Sequence, residues 1–209
     1  MTFLDKVQQA KQLISESIQK YPKIVFACSF GKDSMVSLHL IISVKKDIPV
    51  FCVLSNTEFP ETYEFAKKTA AFYHLNYTEY HYNQVGTGAE CCGAPKVAMF
   101  KKALASYDAW FSGIRKNEGI TRVNFEKVED KGGLIKINPI LDFTELDVWR
   151  YLAIYDVPVN PKYRDGYRSL SCALCSTKEI DESESERAGR WKGTIKEGGE
   201  CGIHTSMLR

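Results

Sequence analysis

With 209 residues, 44% of them hydrophobic and 26% charged, the chain has the balance of one folded, water-soluble domain of ordinary size. Its 28 Lys and Arg against 26 Asp and Glu leave +2, too weak a field for a nucleic-acid coat or a polybasic membrane surface, so any basic site must be local. No apolar run approaches the roughly 18 residues that span a bilayer, and the opening MTFLDKVQQAKQ lacks the charged-then-apolar pattern of a leader, which makes a cytoplasmic address the expectation.

Between Phe3 and Lys20, Leu4, Val7, Ala10, Leu13, Ile14 and Ile18 recur at spacings of three and four, the pattern of an amphipathic packing helix. Ile24 to Cys28 is a short apolar run, 29–34 is polar with one glycine, and Met35 to Val44 returns to apolar helix formers. Strand, loop, helix is the simplest parse. A second strand follows at Ile48 to Leu54, then a helix from about Pro60 to Tyr73 and an alternating strand from Leu75 to His81. Further on come a helix near Pro95 to Ala105, short strands at Ala109–Ser112 and Leu134–Ile137, and a helix opened by Thr144, with Asp147 completing a capping box. Strands separated by helices require right-handed crossovers, so the predicted fold class is α/β with a mainly parallel sheet over residues 1–175. The 34 residues 176–209 carry seven acids, six Lys or Arg and five Gly but few aliphatics, and read as a flexible C-terminal tail with at most one polar helix.

Ser29-Phe30-Gly31-Lys32-Asp33-Ser34 falls between the first strand and its helix, where backbone N–H groups and the helix dipole favour an anion. Gly31 permits close backbone approach, Ser29 and Ser34 offer hydroxyls, and Lys32 brings a positive charge. The spacing is not that of a Walker loop. A polar turn with a capping serine is the competing reading of the same residues.

Seven cysteines suit no disulfide framework in a chain of this length, so thiol or metal chemistry is the better expectation. Cys91 and Cys92 are adjacent, and Cys172-Ala173-Leu174-Cys175 lies eighty residues further on. Four soft ligands suit either an iron–sulfur cluster or zinc, although a vicinal pair is awkward for one tetrahedral ion. Two unrelated buried pairs are the remaining possibility. Cys28 and Cys52 fall within apolar strands, where inert core thiols are expected.

Cys201 stands in a glycine-rich stretch before His204, where a free thiol without a purpose is a liability. A nearby imidazolium or a positive pocket would raise its thiolate fraction and make it a nucleophile. Upstream, Arg187 and Arg190 would share one face of a short helix and suit a phosphate or sulfate; a solvated face paired with Glu184 and Glu186 is the alternative. Arg115, after Ala109-Trp110-Phe111-Ser112-Gly113-Ile114, is a further candidate anion contact, while Arg122 reads equally well as a surface ion pair.

The loop resembles the PP-loop of the adenine nucleotide alpha-hydrolase-like superfamily, usually Ser-Gly-Gly-x-Asp-Ser, with Phe30 departing at the second position. The vicinal cysteines, the gap near eighty and Cys-x-x-Cys are similar to the signature of assimilatory adenylyl-sulfate or phosphoadenylyl-sulfate reductases of the iron–sulfur type. Lys96, the flanking Asn160, Tyr163, Gly166, Tyr167 and Ser169, the segment Ala109 to Arg115, and the run from Arg187 to His204 match as well. That resemblance implies a doubly wound, Rossmann-like sheet and a [4Fe-4S] cluster on Cys91, Cys92, Cys172 and Cys175. Cys201 is then the catalytic nucleophile, and substrate contacts come from Ser29 to Ser34, Lys96, Arg115, Arg187, Arg190 and His204. It further implies adenylyl sulfate or its 3'-phosphorylated form as substrate, a thioredoxin-like dithiol as reductant and a homo-oligomer. Two other functions remain in view: a PP-loop ATP pyrophosphatase that adenylates a substrate, and a nucleotide-binding module with a structural zinc.

Overall fold

The computed structural model describes residues 1–84, 93–178, 185–194, 197 and 199–204. Thr2 caps α1 (Phe3–Lys20) through a capping box with Asp5, and Val7, Ala10 and Ile14 form its buried stripe. β1 (Ile24–Ala27) leads through the polar loop into α2 (Lys32–Val44), and β2 (Pro49–Ser55) into α3 (Pro60–Tyr73), which Pro60 opens and a left-handed His74 closes. β3 (Asn76–Tyr82), α4 (Ala94–Leu104), β4 (Ala109–Phe111), β5 (Val128–Asp130), β6 (Ile135–Ile137) and α5 (Glu145–Ile154) follow. The capping box expected at Thr144 and Asp147 is present, and the same Asp147 carboxylate takes an ion pair from Lys6, tying α5 to α1.

The sheet runs β3-β2-β1-β4-β6-β5, parallel throughout except for β5 against β6. Sequence periodicity missed β5, whose three residues are too few to show alternation. Side chains alternate across the sheet. Ile24, Phe26, Cys28, Val50, Cys52 and Leu54 pack on one face with α1, α2, α3 and α5, whereas Val25, Phe51 and Trp110 meet α4 on the other. Strand order reverses between β1 and β4, and a crevice opens at that point beyond the carboxyl ends of the strands. No helix of the described residues is long and apolar enough to cross a membrane.

Candidate functional site

The polar loop after β1 is shaped by close contacts. Ser29 and Ser34 hydroxyls lie 2.8 Å apart, and the Lys32 N–H at the start of α2 donates to the Tyr163 hydroxyl at 2.9 Å. A Cβ on Gly113, just past β4, would fall 2.9 Å from Ser34 Cα, so only glycine lets that strand end pass the loop. Phe30 departs from the usual glycine at a left-handed φ of 56°. That conformation costs about 1–2 kcal/mol. It is offset by a fully buried ring set edge-on to Phe65 and Tyr77.

Lys32 and Arg115, both expected to meet substrate, have protein partners. The Lys32 ammonium, 1% exposed, donates to the Arg168 carbonyl at 2.7 Å and pairs with Glu186. Arg115 is 0% exposed; its Nε pairs with Asp33 at 2.5 Å and its Nη2 reaches both Glu186 oxygens at 2.6 Å. Burial alone would push both cations toward neutrality, but the surrounding carboxylates override it and raise their pKa values. Arg122 is likewise buried, between Glu118 and Glu200, rather than at the surface.

The described C-terminal residues pack against this body. Ser176 and Arg190 form an antiparallel bridge, the Thr177 N–H donates to Gly189 at 2.8 Å, and the Trp191 N–H donates to Cys175 at 2.9 Å. A Cβ at Gly189 would lie 2.4 Å from the Thr177 carbonyl oxygen. The helix expected at Arg187 and Arg190 is a turn, and both guanidinium groups lie over the Trp191 ring, 5.4 and 4.5 Å from its centroid. Glu186 does not pair with them along a helix face because it finds Lys32 and Arg115. Glu184 lies outside the described residues.

Cys201, 4% exposed, packs with Cys172, Cys175 and Trp191, and it lines the crevice beside the loop. Ser29, Gly31, Asp33 and Ser34 form one wall; Lys96, Arg122, Arg190 and His204 bring nitrogen donors to it. The Phe30 ring and the Lys32 ammonium are not part of that lining. Arg190 Nε and His204 Nδ1 are buried without a hydrogen-bond partner among the described residues. Burial holds His204 well below its ordinary pKa, aided by the Lys136, Arg122 and Arg187 charges over the opposing Glu200, so it is a neutral imidazole rather than the imidazolium considered from sequence. Burial pushes Cys28 up to about 12 and Cys52 well above its usual value, consistent with inert thiols. Glu58, which sequence reasoning missed, also lines the crevice; burial against the opposing pull of Lys96 raises its carboxyl to about 7.

Cys172 and Cys175 are each 2% exposed, brought together by a single 3-10 turn in which the Cys175 N–H donates to the Cys172 carbonyl at 3.0 Å. Two buried thiols on one turn fit the soft donor set of zinc or an iron–sulfur cluster. Cys91 and Cys92 lie outside the described residues.

A reversed parallel sheet with an anion-favouring loop at its switch point and a thiol in the same crevice defines an α/β nucleotide-binding protein with sulfur chemistry within reach. Residues 23–178 match the phosphoadenosine phosphosulfate reductase domain. The chain belongs to that family, whose members are oxidoreductases acting on a sulfur group. It is 30% identical to an adenosine 5'-phosphosulfate reductase of Burkholderia cepacia, covering 97% of this chain and 89% of the relative. It is 34% identical to one of Halalkalibacterium halodurans, covering 87% and 85%. A phosphoadenylyl-sulfate reductase from Candida auris shares the fold at a TM-score of 0.66 and 22% identity, over 79% of this chain and 88% of that one. An FMN adenylyltransferase of Candida glabrata shares it at 0.70 and 19%, over 95% and 75%.

Proposed function

We propose that this chain reduces adenosine 5'-phosphosulfate to sulfite and AMP, with Cys201 as the nucleophile. The observation that carries the reading is the placement of Cys201 in the wall of the nucleotide crevice, beside Arg190 and His204. The Cys201 thiolate attacks the sulfur; an S–S bond forms, the S–O bond to phosphate breaks, and its electron pair leaves with AMP. The protein is left carrying a thiosulfonate. Neutral His204, three residues on in the same chain turn, also lines the crevice, and the donors on Arg190 and Lys96 suit the equatorial oxygens of a phosphosulfate. The Ser29 and Ser34 hydroxyls, with the backbone at Gly31 and the Asp33 N–H, hold the nucleotide phosphate at the head of α2, and Arg187 lies with Arg190 over the Trp191 ring.

A dithiol such as thioredoxin then supplies the two electrons. One of its thiolates attacks Cys201 and releases sulfite, and its second thiol resolves the mixed disulfide. An external donor fits the neighbourhood, because the nearest strand thiols, Cys28 and Cys52, are held protonated by burial. Cys172 and Cys175, with Cys91 and Cys92, would hold a [4Fe-4S] cluster; when bound, it supplies a compact charged centre that tunes the potential around the phosphosulfate. A reaction that runs through a free Cys201 thiol and an external dithiol suits a reducing compartment, the cytoplasm.

Intact-protein mass after anaerobic incubation with adenosine 5'-phosphosulfate, without reductant, tests the reading. One sulfonate mapped to Cys201 is expected, forming faster than with the 3'-phosphorylated nucleotide. No adduct from either nucleotide, with pyrophosphate released from ATP, overturns it.

A further inference from the structure

The C-terminal residues meet the body through charge as much as through apolar contact. The body brings the buried cations Lys32, Arg115 and Arg122 and the acids Asp33 and Glu118 to this contact. The C-terminal segment meets them with Glu186, Arg187 and Glu200. Glu186 bridges Lys32 and Arg115, while Glu200 receives Arg122 Nε at 2.6 Å and Arg187 Nη2 at 3.2 Å. Glu200 also accepts the Cys201 N–H at 2.8 Å, so the second contact sits directly on the backbone of the thiol. Neither Glu186 nor its two cations line the crevice.

We infer that Glu186 and Glu200 are positioning residues, a two-point clasp that seats the Cys201 segment on the body and so holds the thiol in the crevice. The inference rests on the reductase reading for its purpose, but its geometry does not depend on it. A buried carboxylate shared by two cations is costly to lose, because the cations are then left without compensation. Replacing Glu186 with Gln therefore weakens docking of the segment without removing any group that lines the crevice. Only the docked fraction is competent, so apparent substrate affinity falls with that fraction.

The test is the rate at which iodoacetamide labels Cys201 in the full chain, mapped by peptide mass without nucleotide or reductant, together with KM for adenosine 5'-phosphosulfate. E186Q is expected to label at least about ten-fold faster than the parent and to show a similarly raised KM, with its far-UV spectrum unchanged. E186D, which keeps the carboxylate, is expected to recover most of the protection. Should E186Q prove insoluble, E200Q is read by labelling alone, because Glu200 also holds Arg122 in the crevice wall. Parent-like labelling in both variants, with a parent-like KM in E186Q, overturns the clasp. A sulfonate on Cys201 in the parent with unchanged labelling in the variants would sink the clasp alone, whereas faster labelling without any sulfonate would uphold it and sink the reaction.

Discussion

The sheet and the C-terminal segment are held by different forces. Around β1, β2 and β4 nearly every inward side chain is apolar and fully buried, with Trp110 and Phe26 at 0% exposure. Among the described residues from 185 to 204 one large apolar side chain, Trp191, is fully buried, and the other strong contacts with the body come from carboxylates and guanidinium groups. Apolar burial is non-directional and survives changes of pH and salt; a buried ion network is directional and fails when one partner is lost. The difference teaches that scaffold and reacting thiol can be perturbed separately.

The sharpest separation comes from Cys201→Ser, expected to lower turnover by about three orders of magnitude or more with no change in thermal unfolding, checked by steady-state assay and calorimetry. Trp110→Ala acts on the other side: removing a fully buried indole costs about 3–5 kcal/mol, read as a lower denaturant midpoint. Gly189→Ala places a methyl 2.4 Å from the Thr177 carbonyl oxygen and is expected to loosen the segment by about 1–3 kcal/mol, seen as faster Cys201 labelling while the body's unfolding stays put.

Acid should divide the two regions more gently. Burial opposes the Glu200 charge, but the Arg122 hydrogen bond and charge override it and hold its carboxyl far below the ordinary 4.5. A folded value below the unfolded one gives stability that is present above pH 4.5 and lost as pH falls, so the segment undocks on acidification. Lys136 in β6 has a slope of the same sign in an alkaline window, and it acts on the body rather than the segment. Burial lowers it from 10.5 to about 8 despite Glu129, so body stability rises as pH climbs between those values, and Lys136→Met should flatten that rise in unfolding curves.

Much of the body was legible because each signal was local. The periodicity over Phe3–Lys20, the proline opening α3 and the Thr144–Asp147 pair all act within a few residues, and the structure places those elements where the pattern does. The site was legible as a set of residue types but not as partnerships. Lys32 and Arg115 read as anion contacts because nothing local shows that Glu186, 71 residues beyond Arg115, will take them. The same long-range pairing turns a predicted helix at Arg187 into a turn, a case of tertiary contact overriding local preference. Tyr163 was singled out only by resemblance, and its hydroxyl proves to meet the N–H at the head of α2 from 131 positions away.

The sparse apolar contact of the C-terminal segment also sets an order of assembly. Arg115 and Arg122 lie 71 and 78 residues before the carboxylates they receive, no farther than the strands of the sheet reach for one another, so loop length does not set the segment apart. With little apolar surface of its own to bury, the segment needs the sheet to dock on, so it settles after the sheet exists and leaves before the sheet melts. On warming, the reacting thiol therefore loses its seat at temperatures where the scaffold is still intact, and heat inactivation runs ahead of unfolding.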